Sequence, residues 1–287
     1  MIGGNRVNIE KIIKELQQNN ILSTKQINYE QLNGGTVSEL YLLHNNGKKY
    51  VVKSNDSQVI KSEANFLDTY KDLNFLPQLL FVEESFNYFV YSFINGSTNY
   101  SKKNKKDMLC VLVNELINNY RPISQYIGWG WADEPTASWR SFLMTEILEA
   151  NKIIGSQLSR NDFNLIQNLV KKNGNDHIPF LLHGDCGVHN FIFNNGRLTG
   201  VIDPTPVIGD PIYDLIYAFC SSPDDLTKAT LDTAASQLVV INRNISNLYE
   251  QLLIGLFLRI GSCVKHHPDD IGAYLKAWEY WKRIVIR

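Results

Sequence analysis

The chain has 287 residues, with 28 Lys and Arg against 29 Asp and Glu and a formal net charge of −1. That balance, with no basic block, argues against a nucleic-acid or anionic-membrane partner, and no apolar run reaches the roughly 18 residues of a bilayer-spanning helix. Hydrophobic residues make up 44 % of the chain, enough for a sizeable core, while Met1 to Glu10 lacks the apolar stretch of a signal peptide.

Cys110, Cys186, Cys220 and Cys263 are widely spaced and form no C-x-x-C pair, so neither a zinc site nor a redox motif is indicated. Free thiols in a reducing compartment, and a cytoplasmic protein, are the expectation.

Residues 8–19 predict an amphipathic helix with Ile9, Ile12, Ile13 and Leu16 on one stripe. Strands follow at Ile27–Leu32, Val37–Leu43 and Lys48–Ser54, the last two joined by the hairpin signal Asn45-Asn46-Gly47. A helix over Ser57–Tyr70 is expected to turn Ile60, Phe66, Leu67 and Tyr70 inward. Two more strands are expected at Leu79–Glu83 and Tyr88–Ile94. A charged stretch from Lys102 to Asp107 reads as exposed.

From there the spacing becomes helical over Met108–Asn118, Ser138–Ile154 and Asp162–Lys172, with Ser138 and Asn161 as expected N-caps. A β-rich island interrupts the helices, with short strands at Phe180–Leu182, Phe191–Phe193 and Leu198–Ile202 and a turn at Asn194-Asn195-Gly196. Beyond Pro211 the pattern is helical to Arg287, with Trp278 and Trp281 in the core. The expected fold class is α+β and bilobal: residues 1–95 form a mostly antiparallel β-rich lobe with one helix inside it, and residues 96–287 a mostly helical lobe.

The polar chemistry concentrates in the island, which reads His183-Gly184-Asp185-Cys186-Gly187-Val188-His189-Asn190 and then Val201-Ile202-Asp203-Pro204. A hairpin between Asn190 and Asp203 brings its two ends together, so an amide oxygen and two carboxylates can share one place. Phosphoryl transfer uses such a set: hard oxygen ligands for Mg²⁺ and a carboxylate beside the acceptor hydroxyl.

Four ordered elements, His183-Gly184-Asp185, Asn190, Ile202-Asp203-Pro204 and Gly209-Asp210-Pro211-x-x-Asp214-Leu215, resemble the aminoglycoside phosphotransferase family, with its choline kinase-like and fructosamine kinase-like relatives. The resemblance runs with gaps over roughly residues 25–220. It implies a protein-kinase-like fold with nucleotide bound in the cleft between lobes and acceptor on the helical lobe. It implies Asp185 as the catalytic base, Asn190 and Asp203 as Mg²⁺ ligands, and His183 and Asp210 as supports of the loop. Gly34, Gly35 and Thr36 would approach the phosphates of ATP or GTP, Lys53 would contact the α- and β-phosphates with Glu63 holding it, and Ser92 to Asn95, including Ile94, would meet the base. Trp129 and Trp131 are either packing residues or a wall for the acceptor, and Asp133 and Glu134 either line its pocket or are solvated.

From Pro204 to Arg287 nine acidic residues face eight basic ones, so no acidic excess announces a polycationic substrate, and an aminoglycoside, a sugar, a ketosamine or an amino alcohol all remain open as acceptor. A nucleotide-binding relative without turnover is the alternative; the retained Asp185 argues against it, because a binder needs no base. Only six residues separate Asp203 from Asp210, too few for a protein-kinase activation loop.

Overall fold

The structure, a computed structural model, describes residues 8–23, 26–32, 38–124, 127–173, 178–240 and 247–286. The chain divides into two compact units, Met1–Asn95 and Gly96–Arg287.

In the first unit, α1 (Ile9–Gln18) starts at Asn8, whose side chain accepts from the Lys11 N–H. β1 (Asn28–Gln31), β2 (Glu39–Asn45) and β3 (Lys48–Ser54) follow, then α2 (Ser57–Thr69), β4 (Leu79–Val82) and β5 (Tyr88–Ser92). The strands form one sheet in the order β1-β2-β3-β5-β4, each pairing antiparallel. Asn46 and Gly47 sit at φ 50° and 75°, the left-handed pair that a tight hairpin matching the strand twist requires.

Ile9, Ile12 and Leu16 of α1 form one buried cluster with Leu43, Val52, Tyr88 and Val90 of the sheet, so α1 covers that face. α2 is capped by Asp56, which accepts from the Gln58 N–H, and it buries Ile60, Ala64, Phe66 and Leu67 together with a charged residue, Glu63.

The second unit opens with α3 (Lys105–Glu115), β6 (Gly130–Trp131), α4 (Trp139–Ile154) and α5 (Arg160–Asn173). It continues with β7 (Phe180–Leu182), β8 (Phe191–Asn194), β9 (Arg197–Val201) and β10 (Val207–Gly209), then α6 (Ile212–Cys220), α7 (Lys228–Ala235), α8 (Leu248–His266) and α9 (Ile271–Val285). α8 is buried on most of its circumference, from Leu248 to Cys263, and α4, α5, α6 and α9 pack around it. Trp278 and Trp281 of α9 are fully buried. Each indole N–H finds an acceptor, Asp162 Oδ1 at 3.2 Å and the Leu226 carbonyl at 3.0 Å, as a buried indole requires. No helix among the described residues is long and apolar enough to cross a membrane.

Three sequence expectations are corrected. Lys105 is not exposed but buried: its ammonium donates to the carbonyls of Ser222 at 2.8 Å and Asp224 at 2.6 Å and lies over the Phe219 ring. The start of α5 is held by Ser159, not Asn161; Ser159 Oγ accepts from the Asp162 N–H while Asp162 Oδ2 accepts from the Ser159 N–H, a reciprocal box one turn wide. The stretch before Pro211 also holds a strand the pattern did not announce, β10, which pairs with both β6 and β7.

Candidate active site

The island is a loop between two pairings. β7 ends at Leu182 and pairs with β10, while β8 begins at Phe191 opposite Val201 of β9. The Ile202 N–H donates to the Asn190 carbonyl at 2.9 Å, extending the hairpin by one step. Asn190 and Asp203, thirteen residues apart in sequence, therefore lie side by side at its open end, and the Asn190 Nδ2 comes within 3.5 Å of the Asp203 carbonyl.

Backbone geometry demands particular residues here. Gly184 has φ 82°, and a Cβ on it would meet the Thr205 carbonyl oxygen at 1.9 Å, so the chain passes too close to itself for any side chain. Asp203 has φ 59°, a left-handed conformation in which Asp and Asn are enriched.

Asp185 is the focus. Its Oδ2 accepts from Asn190 Nδ2 at 2.8 Å and lies 3.2 Å from His189 Nε2. Its Oδ1 is buried and has no hydrogen-bond partner within the protein. Burial opposes the carboxylate's charge, but the hydrogen bond and charge of His189, with the Tyr217 phenol and His183, outweigh it and hold Asp185 below the ordinary carboxylate range. The same contact with Asp185 raises His189. His189 is thus a half-exposed partner of Asp185.

His183 is fully buried, and burial pushes it down to about 4. Its tautomer follows from its partners: the Asp185 N–H can only donate, so Nδ1 accepts it at 3.3 Å, and Nε2–H donates to the Ile202 carbonyl at 3.1 Å. A neutral ring thereby ties Ile202, the residue before Asp203, to the loop carrying Asp185.

Asp210 Oδ1 accepts from the Ile212 N–H at 3.1 Å, at the start of α6. Asp214, in the first turn of α6, is fully buried and accepts from the N–H groups of His183 at 3.0 Å and Gly184 at 3.1 Å and from the Tyr120 hydroxyl at 2.5 Å. Burial raises it to about 6, against those donors. Asp214 was legible as part of the motif; its grip on the loop backbone, and the Tyr120 and Tyr217 contributions, were not, because Tyr217 sits in an apolar helix and Tyr120 in a polar connection far from the motif in sequence.

In the first unit, Lys53 Nζ lies 2.6 Å from Glu63 Oε2, with both side chains buried. The Ser92 N–H donates to the Gln78 carbonyl at 2.9 Å, and Ser92 Oγ accepts from the Gln78 N–H at 2.8 Å; Ile94 follows just beyond the strand. Gly34, Gly35 and Thr36 lie outside the described residues.

A cavity of about 240 Å³ opens in the second unit, among its lining Trp131, Trp139, Glu146, Tyr213, Tyr217 and Arg259. Trp131 thus lines it. Trp129 instead is buried against Trp139, their rings 6.3 Å apart, and Asp133 and Glu134 are exposed and outside the lining.

Asn190 and Asp203 fit a small hard cation. Because Asn190 directs its amide nitrogen at Asp185 and toward the Asp203 backbone carbonyl, its side-chain oxygen is the atom left for coordination. One amide oxygen and one carboxylate suit Mg²⁺, which takes one or two protein oxygens and fills its shell with water and phosphate.

No curated protein matches the chain in sequence. The model of the family described as "Phosphotransferase enzyme family" (APH) matches residues 129–242. Among solved structures, the aminoglycoside phosphotransferase APH(4)-Ia, as a thermostable mutant in ternary complex with AMP-PNP and hygromycin B, superposes with a TM-score of 0.63 at 18 % identity, covering 96 % of this chain and 98 % of that one. ADP-bound APH(2'')-Ib superposes with a TM-score of 0.59 at 19 % identity over 96 % and 99 % of the two chains. The choline kinase LicA from Streptococcus pneumoniae gives 0.58 at 19 % over 96 % and 100 %. The segment that carries Asp185, Asn190, Asp203 and Asp214 is the one the family model matches, and the chain has the fold of these solved structures.

Proposed function

We propose that this chain is a small-molecule kinase that transfers the γ-phosphoryl group of ATP or GTP to a hydroxyl of a small acceptor. The observation that carries this reading is Asp185: one carboxylate oxygen fixed by Asn190 and His189, the other buried with no partner, on a loop beside Asp203. A carboxylate kept ionised with one oxygen uncommitted can receive a hydroxyl donor.

In the proposed step the acceptor O–H donates to Asp185 Oδ1, the acceptor oxygen forms a bond to the γ-phosphorus, the bond from that phosphorus to the β,γ-bridging oxygen breaks, and the proton passes to Asp185 as the nucleoside diphosphate leaves. Mg²⁺, held by Asn190 and Asp203, would neutralise the charge on the phosphate oxygens. Lys53, fixed by Glu63, supplies a positive charge for the α- and β-phosphates. His183 and Asp214 keep the loop backbone in register, so that Asp185 spends no conformational freedom on reaching the acceptor.

The neighbours crystallised with AMP-PNP, ADP or hygromycin B support a nucleotide and a small-molecule partner.

The test is phosphate transfer by purified protein with Mg²⁺, ATP or GTP and a panel of hydroxylated acceptors. Asp185→Asn should lower kcat by about two to four orders of magnitude while nucleotide affinity, read by calorimetry, stays near that of the parent. Loss of both together would remove Asp185 from the role of base. Asp203→Ala should weaken Mg²⁺-nucleotide binding, and an unaltered Mg²⁺ dependence would overturn its assignment as a ligand.

A further inference from the structure

The cavity of the second unit has a charge pattern with consequences for the acceptor, and these rest on the kinase reading above. Its walls are aromatic: Trp139 and Tyr213 meet edge to face with ring centroids 5.6 Å apart, and Tyr213 leads on to Tyr217 at 6.2 Å. Tyr217 in turn touches the Asp185 environment, where its phenol favours the carboxylate. Tyr217 therefore links the cavity wall to the proposed base.

Two charged side chains line it, and among the described residues neither is paired with an opposite charge. Arg259 donates from Nε to the Tyr274 hydroxyl at 3.0 Å and lies 5.3 Å from the centroid of that ring. Glu146 Oε1 accepts from the Trp131 indole N–H at 3.3 Å. Charges lining an apolar cavity are costly without partners, so a ligand that supplies both counter-charges gains from each.

We propose that the acceptor is a small zwitterionic alcohol, a hydroxylated amino acid in chemical class, whose carboxylate is taken by Arg259 and whose ammonium is taken by Glu146 between Trp131 and Tyr213. Arg259 suits a carboxylate because the planar guanidinium matches it two-pronged, and an ammonium beside a carboxylate and indole faces is held by charge and by the ring quadrupoles. A polycation is disfavoured twice: it meets Arg259, and it finds a single acid. At about 240 Å³ the cavity is also smaller than the ~300–1,000 Å³ of drug-sized ligand sites.

The experiment titrates the full chain with L-serine, L-homoserine and threo-phenylserine, each beside the amino alcohol lacking its carboxylate, and with kanamycin. Binding is read by the emission of Trp131 and Trp139, which needs no nucleotide, and phosphate transfer from ATP and GTP is measured in parallel. We expect at least one zwitterion to bind saturably and about tenfold or more tighter than its amino alcohol. Arg259→Gln should collapse that ratio toward one, and Arg259→Lys should restore part of it; a purely structural role for Arg259 would weaken both ligands equally. The proposal is overturned if no zwitterion binds, if kanamycin or the amino alcohols bind as tightly, or if the ratio survives Arg259→Gln. A chain that binds the zwitterion but transfers no phosphate to it would instead sink the kinase reading and leave the pocket assignment standing.

Discussion

Gly184 is the residue on which the loop from His183 to Asn190 turns. At φ 82°, with the Thr205 carbonyl oxygen 1.9 Å from where a Cβ would stand, its neighbours His183 and Asp185 cannot keep their positions once a methyl group is added. Both flanking N–H groups of this turn, those of His183 and Gly184, bind the buried Asp214 carboxylate, so a displaced backbone also strands that charge. Gly184→Ala is expected to cost about 2–4 kcal/mol of stability, from the left-handed conformation and the clash together, measured by urea unfolding, and to lower phosphate transfer in protein that still folds. In the motif His183-Gly184-Asp185 the proposed base and the residue that permits the geometry are adjacent. That is why the motif could be read from the sequence while Tyr217 of α6 and Tyr120, which reach the same loop, could not: neither phenol carries a local sign of what it touches across the fold.

Elements were legible where the chain announces them locally. The Asn46-Gly47 turn set β2 and β3 in register, and Ser138 marks α4 with a cap in which its Oγ accepts from the Ser141 N–H at 3.1 Å. β6 and β10, at two and three residues, are too short to show alternation, and they exist because each pairs with a distant segment. The start of α5 was misread for a related reason. Its decisive residue, Asp162, looks like an ordinary helix acid, yet it binds Ser159 on its own turn and, from α9, the Trp278 indole at 3.2 Å and the Lys282 ammonium at 2.9 Å. Burial raises the carboxyl of Asp162, but these donors outweigh it and hold it below its ordinary value. A depressed carboxyl stabilises the fold above the unfolded value of about 4, and that contribution is lost as pH falls through the lower folded value. Asp162→Asn should therefore cost about 1.5–3 kcal/mol near neutrality, and the gap to the parent should close as urea unfolding is repeated toward pH 3.

At the scale of the molecule, each of the two units carries its own core, and a spectroscopic asymmetry separates them. All five tryptophans, Trp129, Trp131, Trp139, Trp278 and Trp281, lie beyond residue 96, so tryptophan emission follows Gly96–Arg287 alone, while far-UV circular dichroism follows both. The first unit holds a charged pair in its interior, Lys53 and Glu63 at 2.6 Å. Removing one partner of a buried pair leaves the other charge uncompensated, a loss of about 3–5 kcal/mol, which is a large share of what a unit of this size has to give. Lys53→Met is accordingly expected to produce an early transition in circular dichroism with the emission midpoint unmoved, and Lys53→Met with Glu63→Gln should recover part of the loss, because the stranded carboxylate is gone. Coincident early transitions by both probes would mean that the two cores melt as one cooperative body, and the Lys53–Glu63 pair would then be guarding the stability of the helical unit as well as its own.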